Sequence, residues 1–389
     1  MRQAAEAGLF NNLGLGCFER GNWVAGEALL RRSAALAPDQ PYARVNLARH
    51  LACDGRADEA EALLEGAPAD RPDVIWARAF IALYRRDYAR AAELFGSTAP
   101  PDPANSFDVC AAMAQTGDWT GAFQVAERLE RNWGPAPRWT GDRIDSLLVW
   151  ADQGVGDIIN FARLLPLIRD RVGAIVFAVP WELVDLMAPY RSVAHVISQR
   201  QPIPETAAQI SLFALLRLLG VQPGSVPPDP GLLRGAWHAV PRNICRVGLC
   251  WRGNKVYARD RWRSMDLTTM LPLVSLPGCT FHSLQFGSDE IVRHGLQALI
   301  SDHQHEMAQG WLHTAGLISA MGAVVTVDTA IAHLAGALGV PTILCLPFLP
   351  DWRWGVEGEE CEWYPSVALV RQQRPGDWAG VIERVRSIL

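Results

Sequence analysis

Apolar residues follow a helical spacing in the first third of the chain and a strand-like spacing afterwards. Up to residue 133 they recur at helical intervals on both sides of short turns. After the Gly- and Pro-rich stretch 133–137, short β-branched runs such as 146–150, 174–179 and 342–346 alternate with helical segments. Alternation of this kind is typical of parallel sheets with crossover helices. The pattern therefore predicts an α-helical region followed by an α/β region.

The helical third contains a repeat. Turns are predicted at four positions, Gly21, Gly55, Asp87 and Gly117, which lie 34, 32 and 30 residues apart. A small residue follows each turn by five positions, namely Gly26, Ala60, Ala92 and Ala122. Small residues there let the second helix pack closely on the first, and the spacing is near the tetratricopeptide period of about 34. Residues 7–133 resemble tetratricopeptide repeats, which implies a groove for a protein segment; a helical spacer is the alternative.

The stretch 324–346 predicts a ligand site. An apolar strand ends at Asp328 and Thr329, a helix of small residues follows, and a second apolar run completes a β-α-β unit. The free N–H groups and the dipole at the start of that helix suit a phosphate. Thr329 and His333 are four residues apart and share the face of its first turn. Polar groups at a strand end and helix start are where open α/β sheets hold ligands.

A glycine-rich turn follows the first predicted strand of the α/β region. It contains Gln153, Gly154 and Gly156, and the next residue, Asp157, begins a helix. The glycines permit a tight turn and a close approach to a ligand. Asp157 is either a helix N-cap or a residue of the ligand site.

Further candidates lie in the last third of the chain. Asn254 and Gln285 follow two predicted strands, and Arg263 belongs to a run of three arginines. Guanidinium groups bind phosphate or carboxylate through paired hydrogen bonds, although such runs are often exposed loops. Trp352 and Trp354 form either an aromatic wall for a ring-shaped ligand or the packing between two lobes.

Composition narrows the class of protein. A chain of 389 residues predicts two or three domains, and a net charge of −5 does not favour a nucleic-acid partner. Eight cysteines include no CxxC pair, and no cluster of metal ligands is visible. Neither a signal peptide nor a membrane-spanning run is evident, so a reduced, cytoplasmic protein is expected.

Five blocks of the chain together resemble bacterial tetratricopeptide-repeat glycosyltransferases. They are 152–157, 251–254, 261–264, 328–339 and 351–354. This group includes flagellin glycosyltransferases and is similar to ADP-heptose heptosyltransferases. One departure is Asp152, where the family usually has Glu.

The resemblance implies a GT-B fold of two Rossmann-like lobes with a nucleotide-sugar in the cleft between them. The expected domains are 1–133 for the repeats, 134–235 for the N-terminal lobe, 236–375 for the donor-binding C-terminal lobe and 376–389 for a closing helix. No cofactor is implied, because the nucleotide-sugar is a substrate.

The resemblance also assigns roles to residues. Asp157 corresponds to the catalytic base and Arg263 to the group that binds the donor phosphate, while Asp328, Thr329 and His333 form the donor-binding block. A metal is not needed if arginine and a helix N-terminus supply the positive charge. We therefore predict sugar transfer to a protein hydroxyl, with the repeats recruiting the acceptor, a flagellin-like protein. The alternatives are a non-catalytic nucleotide-sugar or protein-binding scaffold and a glycosyltransferase that acts on a glycan.

Overall fold

The computed structural model describes residues 2–98, 106–127, 133, 135–237, 243–255, 257 and 259–389. Within the predicted linker 133–137, residue 134 lies outside the described residues. The chain forms two compact units, one of residues 1–126 with 374–376 and one of residues 127–373 with 377–389. Among the described helices, none has the length and apolar character needed to cross a membrane.

The first unit is built from consecutive helices joined by short turns. They are α1 (Arg2–Glu19), α2 (Trp23–Leu36), α3 (Tyr42–Cys53), α4 (Ala57–Leu63), α5 (Pro72–Tyr84), α6 (Tyr88–Gly96), α7 (Ser106–Gln115) and α8 (Trp119–Glu127). Helix α1 packs on α2, α3 on α4 and α5 on α6, and neighbouring pairs pack in turn. This is the arrangement of a repeat solenoid, in which each pair buries its apolar face against the next.

The third turn of the repeat lies one residue earlier than the sequence pattern predicts. Arg86, with a φ of 61°, takes the left-handed conformation that Gly21, Gly55 and Gly117 take in the other turns. Asp87 serves instead as the N-cap of α6, where its side chain accepts from the backbone N–H of Arg90 at 3.1 Å.

The position of the small residue shifts with that turn. Ala91 is fully buried, as Ala60 and Ala122 are in the neighbouring repeats, whereas Ala92 is only partly buried. The prediction of Ala92 as the close-packed residue was therefore wrong by one position. Its cause was the assumption that the turn residue is the polar Asp87 and not an arginine with positive φ.

The second unit begins with a four-stranded parallel sheet. Its strands are β1 (Ile144–Trp150), β2 (Val172–Val179), β3 (His195–Ser198) and β4 (Ala208–Ser211), in the order β3-β2-β1-β4. Helix α9 (Val155–Phe161) follows β1 and continues as a 3-10 helix (Ala162–Ile168). Helices α10 (Ala214–Leu218) and α11 (Leu232–Trp237) lie after β4. We call this part the first lobe.

A six-stranded parallel sheet forms the second lobe. Its strands are β5 (Asn243–Cys250), β6 (Thr280–Ser283), β7 (Ile300–Asp302), β8 (Met321–Val327), β9 (Thr342–Leu346) and β10 (Val367–Arg371), in the order β10-β9-β8-β5-β6-β7. Its helices are α12 (Asp260–Arg263), α13 (Leu271–Val274), α14 (Glu290–Arg293), α15 (Gln304–Met307), α16 (Trp311–Ser319), α17 (Ala330–Ala337) and α18 (Trp378–Ile388). Apolar side chains of β5, β8 and β9 pack with α18 in one core.

Both sheets reverse their strand order beside their first strand. In the first lobe β1 lies between β2 and β4, and in the second β5 lies between β6 and β8. These orders are those of Rossmann-like sheets, whose ligands bind at the carboxyl ends of the strands where the order reverses. The prediction of two Rossmann-like lobes in a GT-B arrangement is confirmed. We expect a ligand site in the loops after β1, β4, β5 and β8.

Candidate functional site

The turn after β1 packs directly against helix α17 of the other lobe. A Cβ atom added to Gly156 would lie 2.5 Å from Cδ2 of His333 and 3.4 Å from the Cα of Ala330. Such a distance is too short for any side chain, so the lobes can meet here only because residue 156 is glycine. The close approach that the sequence predicts at this glycine is made by His333.

The N-cap of α9 is Gly154, so the prediction of Asp157 as the N-cap was wrong, and Asp157 lies three residues further on, at the third helical position. Its Oδ2 accepts from the backbone N–H of Gly154 at 3.1 Å, which stabilises the start of α9. Its Oδ1 forms an ion pair with Nη2 of Arg353 in the second lobe. The carboxylate is thus both part of a helix cap and part of the contact between the lobes.

Arg353 is the site residue that the sequence reasoning missed. It lies in a short 3-10 helix (Trp352–Trp354), and its Nη1 donates to Oδ1 of Asp351 at 2.6 Å. Its guanidinium carbon lies 5.1 Å from the ring centre of Phe161 and 4.5 Å from that of Trp352. The available signal was the block 351–354, which carried the resemblance without a role for the arginine.

Burial and charge displace the pKa values of the carboxyl groups here. Burial raises the pKa of Asp157, and the charges of Arg353 and Arg263 oppose that rise. Burial also raises the pKa of Asp328 to about 6, with a further contribution from Asp351, while Arg263 lowers it. Carboxyl groups with pKa values displaced by burial and by specific partners are typical of functional sites.

His333 and Thr329 hold the start of α17 in place. Nδ1 of His333 lies 3.1 Å from the hydroxyl of Tyr364, and its ring lies 5.0 Å from that of Trp354. Burial, then the charge of Arg353, lowers the pKa of His333 well below its usual value, so the ring is neutral near pH 7. Thr329 is the N-cap, and its Oγ1 accepts from the N–H of Ile331 at 3.2 Å.

The loop after β5 places Arg263 near these groups. Nε of Arg263 donates to Oδ1 of Asp260 at 3.1 Å, and its guanidinium lies 4.4 Å from the ring centre of Tyr257. A Cβ atom added to Gly253 would lie 2.3 Å from Oδ1 of Asp260 and 2.5 Å from Nη2 of Arg263, so this ion pair packs directly on the backbone of the loop. Asn254 is exposed in the same loop.

Gln285 shapes that loop from the end of β6. Its buried Oε1 accepts from the backbone N–H groups of Trp251 and Arg252 at 3.1 and 2.8 Å. The amide therefore supports the loop that carries Arg263, and contact of Gln285 with a donor stays a prediction.

The two tryptophans are buried, Trp352 between the lobes and Trp354 against His333 of the second lobe. Trp352 and Trp354 are only 4% and 3% exposed. The ring of Trp352 lies 6.4 Å from those of Phe161 and Phe213, both in the first lobe. Of the two alternatives for these residues, the geometry favours interlobe packing over an open aromatic wall.

Asp152 and Gln153 lie in the loop after β1, where Asp152 contacts the end of β4. Nε2 of Gln153 donates to Oδ2 of Asp152 at 3.3 Å. Burial raises the pKa of Asp152 to about 6, and hydrogen bonds from Gln153, from Phe213 after β4 and from Ser211 at the end of β4 act in the opposite direction. The Asp152 side chain is therefore enclosed beside the site. Among the described residues, it forms no hydrogen bond with Arg353 or Asp157.

A second arginine that the sequence reasoning missed also joins the lobes. Arg163 is 2% exposed, and its Nη1 donates to the carbonyl oxygen of Trp363 at 2.7 Å. Its guanidinium lies 4.8 Å from the ring centre of Tyr364. The described residues contain no group of three His, Cys, Asp or Glu side chains suited to a metal ion.

Comparison with known proteins identifies a tetratricopeptide repeat at residues 18–81. Protein FlbA of Caulobacter vibrioides is 26% identical over 291 residues, a match that covers 66% of this chain and 48% of FlbA. The chain thus spans about half the length of this curated relative. The repeat predicted from the sequence is confirmed.

Solved structures similar to this chain include two bacterial transferases. ADP-heptose lps heptosyltransferase II of E. coli has 14% identity and a TM-score of 0.40, covering 62% of this chain and 98% of its own. The iron-containing dodecameric glycosyltransferase TibC of enterotoxigenic E. coli has 12% identity and a TM-score of 0.42, covering 64% and 67%. The repeat match and the order of the two sheets confirm both structural parts of the resemblance seen in the sequence.

Replacing Gly156 by alanine should destabilise the second unit. The added methyl group would overlap His333, and overpacking of this kind costs about 1–3 kcal/mol. Gly154→Ala is the matched control, because its Cβ would meet only Oδ2 of Asp157, at 3.4 Å, and its φ is −65°. Urea unfolding followed by tryptophan fluorescence compares the two, and equal losses of unfolding free energy would contradict the interpretation.

Asp328→Asn should stabilise the protein above pH 6. The native carboxyl group has a pKa of about 6, against 3.8 for an exposed aspartate. Between these values the native state binds more protons than the unfolded state, so the carboxyl lowers stability as the pH rises. The variant should gain up to about 3 kcal/mol at pH 8 and almost nothing at pH 4. Thermal unfolding at both pH values measures this, and a gain independent of pH would refute it.

Proposed function

We propose that this protein is a glycosyltransferase that moves a sugar from a nucleotide-sugar donor to a protein hydroxyl. One observation carries the proposal. The carboxylate of Asp157, at the carboxyl end of β1, is held within electrostatic reach of Arg353 and Arg263 from the other lobe. A proton acceptor in one lobe and anion-binding groups in the other are the two requirements of this reaction.

The proposed step follows from these groups. An acceptor hydroxyl oxygen attacks the anomeric carbon and forms the new glycosidic bond, while its proton passes to Asp157. The bond from the anomeric carbon to the donor phosphate breaks, and its electron pair leaves with the phosphate. Burial raises the pKa of Asp157, which makes its carboxylate a stronger base than an exposed one.

The second lobe would hold the donor. Arg263 and the N-terminus of α17 would face the negative charge of the leaving nucleotide, in the place of a metal ion. Asp328, which is enclosed beside Arg263, would accept hydrogen bonds from sugar hydroxyls. His333 stays neutral and orients α17 through Tyr364.

The repeats would recruit the acceptor. Tetratricopeptide solenoids bind extended or helical protein segments in their concave face, and residues 18–81 match such a repeat. The acceptor is then a protein, and the resemblance to flagellin glycosyltransferases makes a flagellin-like protein the first candidate.

The second candidate function is a non-catalytic nucleotide-sugar or protein-binding scaffold. It is favoured by the ion pair between Asp157 and Arg353, which would join the lobes even without chemistry. A glycosyltransferase that acts on a glycan shares the donor site and differs in the acceptor alone. Assays with a panel of nucleotide-sugars, offered with protein and glycan acceptors, separate the three.

Asp157→Asn should abolish transfer while nucleotide binding persists. Loss of a general base lowers the rate by about 10²–10⁴-fold, and the amide keeps the size of the side chain. Transfer is measured with the best donor of the panel, and binding by thermal shift with the matching nucleotide. Full activity in the variant would remove Asp157 from the mechanism, and an inactive wild type that still binds nucleotides would favour the scaffold.

Deletion of residues 1–126 should spare nucleotide binding and lose modification of the protein acceptor. The boundary follows the division between the two compact units. The nucleotide-dependent thermal shift reports whether the remaining unit is folded. Unchanged modification of the acceptor by the deleted chain would refute the recruiting role of the repeats.

A further inference from the structure

The step described above gives Arg353 no bond to the donor, although its guanidinium is an enclosed charge at the contact between the lobes. Its side chain is 8% exposed, and it bonds Asp157 of the first lobe and Asp351 of the second. Its Nε is buried and has no hydrogen-bond partner among the residues that the structure describes. A buried donor without an acceptor costs free energy, which is typical of a group that completes its bonds with a ligand.

The contact with Arg353 makes Asp157 a weaker base. A carboxylate that pairs with a guanidinium and also accepts a backbone N–H is stabilised in its charged form. The charge of Arg353 lowers the pKa of Asp157 against the effect of burial. A base that must take a proton from a hydroxyl works better once this contact loosens.

The charges at the site show what could loosen it. Asp157, Asp328 and Asp351 supply three carboxylates, whereas Arg353 and Arg263 supply two positive charges. Arg263 already pairs with Asp260. A nucleotide phosphate that enters beside these groups must therefore compete with a carboxylate for one of the two guanidinium groups.

The free Nε makes Arg353 the guanidinium best suited to that competition. Nε and Nη2 form one edge of the planar fork, and a phosphate binds such an edge through two hydrogen bonds. Asp157 occupies Nη2 alone. A phosphate on this edge would satisfy Nε and displace the carboxylate, while Nη1 keeps its bond to Asp351.

We propose that Arg353 is a positioning residue shared between the base and the donor. It holds Asp157 while the donor is absent and passes to the donor phosphate when the nucleotide-sugar binds, which releases the carboxylate for the acceptor proton. The inference rests on the proposed function, in which Asp157 is the base. Its consequence is that the base becomes active only with the donor in place.

Proton uptake on nucleotide binding tests this exchange. When Arg353 leaves, the pKa of Asp157 rises, so the protein takes up protons between the pKa values of the free and bound states. Calorimetric titration in buffers of different ionisation enthalpy measures the uptake from pH 5 to pH 8. The probe is whichever of ADP, UDP and CMP gives the largest thermal shift. The wild type should take up on the order of 0.5 proton at the maximum.

The variants identify the group that takes up the proton. Asp157→Asn should lose most of the uptake while nucleotide binding remains. Asp328 also faces Arg263 and Arg353 and has a raised pKa, so Asp328→Asn measures its separate share. Arg353→Gln should weaken nucleotide binding about tenfold or more and remove the part of the uptake that depends on Asp157. Arg353→Lys, which keeps the charge without the fork, should restore part of both.

Arg163→Gln is the matched control for a purely structural arginine. Arg163 is even more enclosed than Arg353 and joins the lobes through the carbonyl of Trp363, with Asp229 3.6 Å from its Nη2. It has no described bond to Asp157. Its loss should lower the unfolding temperature and leave the proton uptake unchanged.

Two outcomes separate the inference from the proposed function. Equal proton uptake in the wild type and Asp157→Asn overturns the exchange, while the transfer assay still decides whether Asp157 is the base. If none of the three nucleotides binds, the donor site of the proposed function fails and the inference fails with it. Equal effects of Arg353→Gln and Arg163→Gln on stability alone would reduce Arg353 to a structural ion pair.

Discussion

The ion pair between Asp157 and Arg353 is the contact on which the site depends. Removing two charges from water is costly, and such a pair persists only where geometry and further hydrogen bonds compensate. Here the guanidinium lies between two carboxylates and against the rings of Phe161 and Trp352. Gly156 allows α17 to come close enough for this pair to form, because no side chain could stand between that turn and His333. Helices α9 and α17 meet at this point as a result.

The burial of several charged groups at one place lowers the stability of the folded state. Two guanidinium groups, those of Arg353 and Arg263, serve four carboxylates, and burial raises the pKa of Asp328 to about 6. A stable protein without a function for these groups would replace them with neutral side chains. Burial of apolar side chains offsets this cost, because the strands behind the site belong to apolar cores such as that of β5, β8 and β9 with α18.

Strand order decides where in each lobe the polar groups gather. In both sheets the first strand lies between strands that run on to opposite sides, so the loops at its carboxyl end diverge and leave a crevice. Asp152 and Gln153 fill that crevice in the first lobe, where they meet residues beyond β4. Arg263, Asp328 and Thr329 surround the corresponding crevice in the second lobe.

The sequence by itself determined the features that depend on neighbouring residues. Turn spacing indicated the repeats, and apolar runs located β1, β8 and β9 with Asp157 and Asp328 at strand ends, because periodicity and capping are local properties. Only the tertiary structure decided which surfaces meet. Arg353 pairs with Asp157, which lies 196 residues earlier in the chain, and Trp352 packs on Phe161 and Phe213. Gly156 lies against His333, although the sequence predicted that a ligand would approach it. Such contacts depend on how the two lobes pack against each other, and local sequence patterns do not determine which distant residues meet.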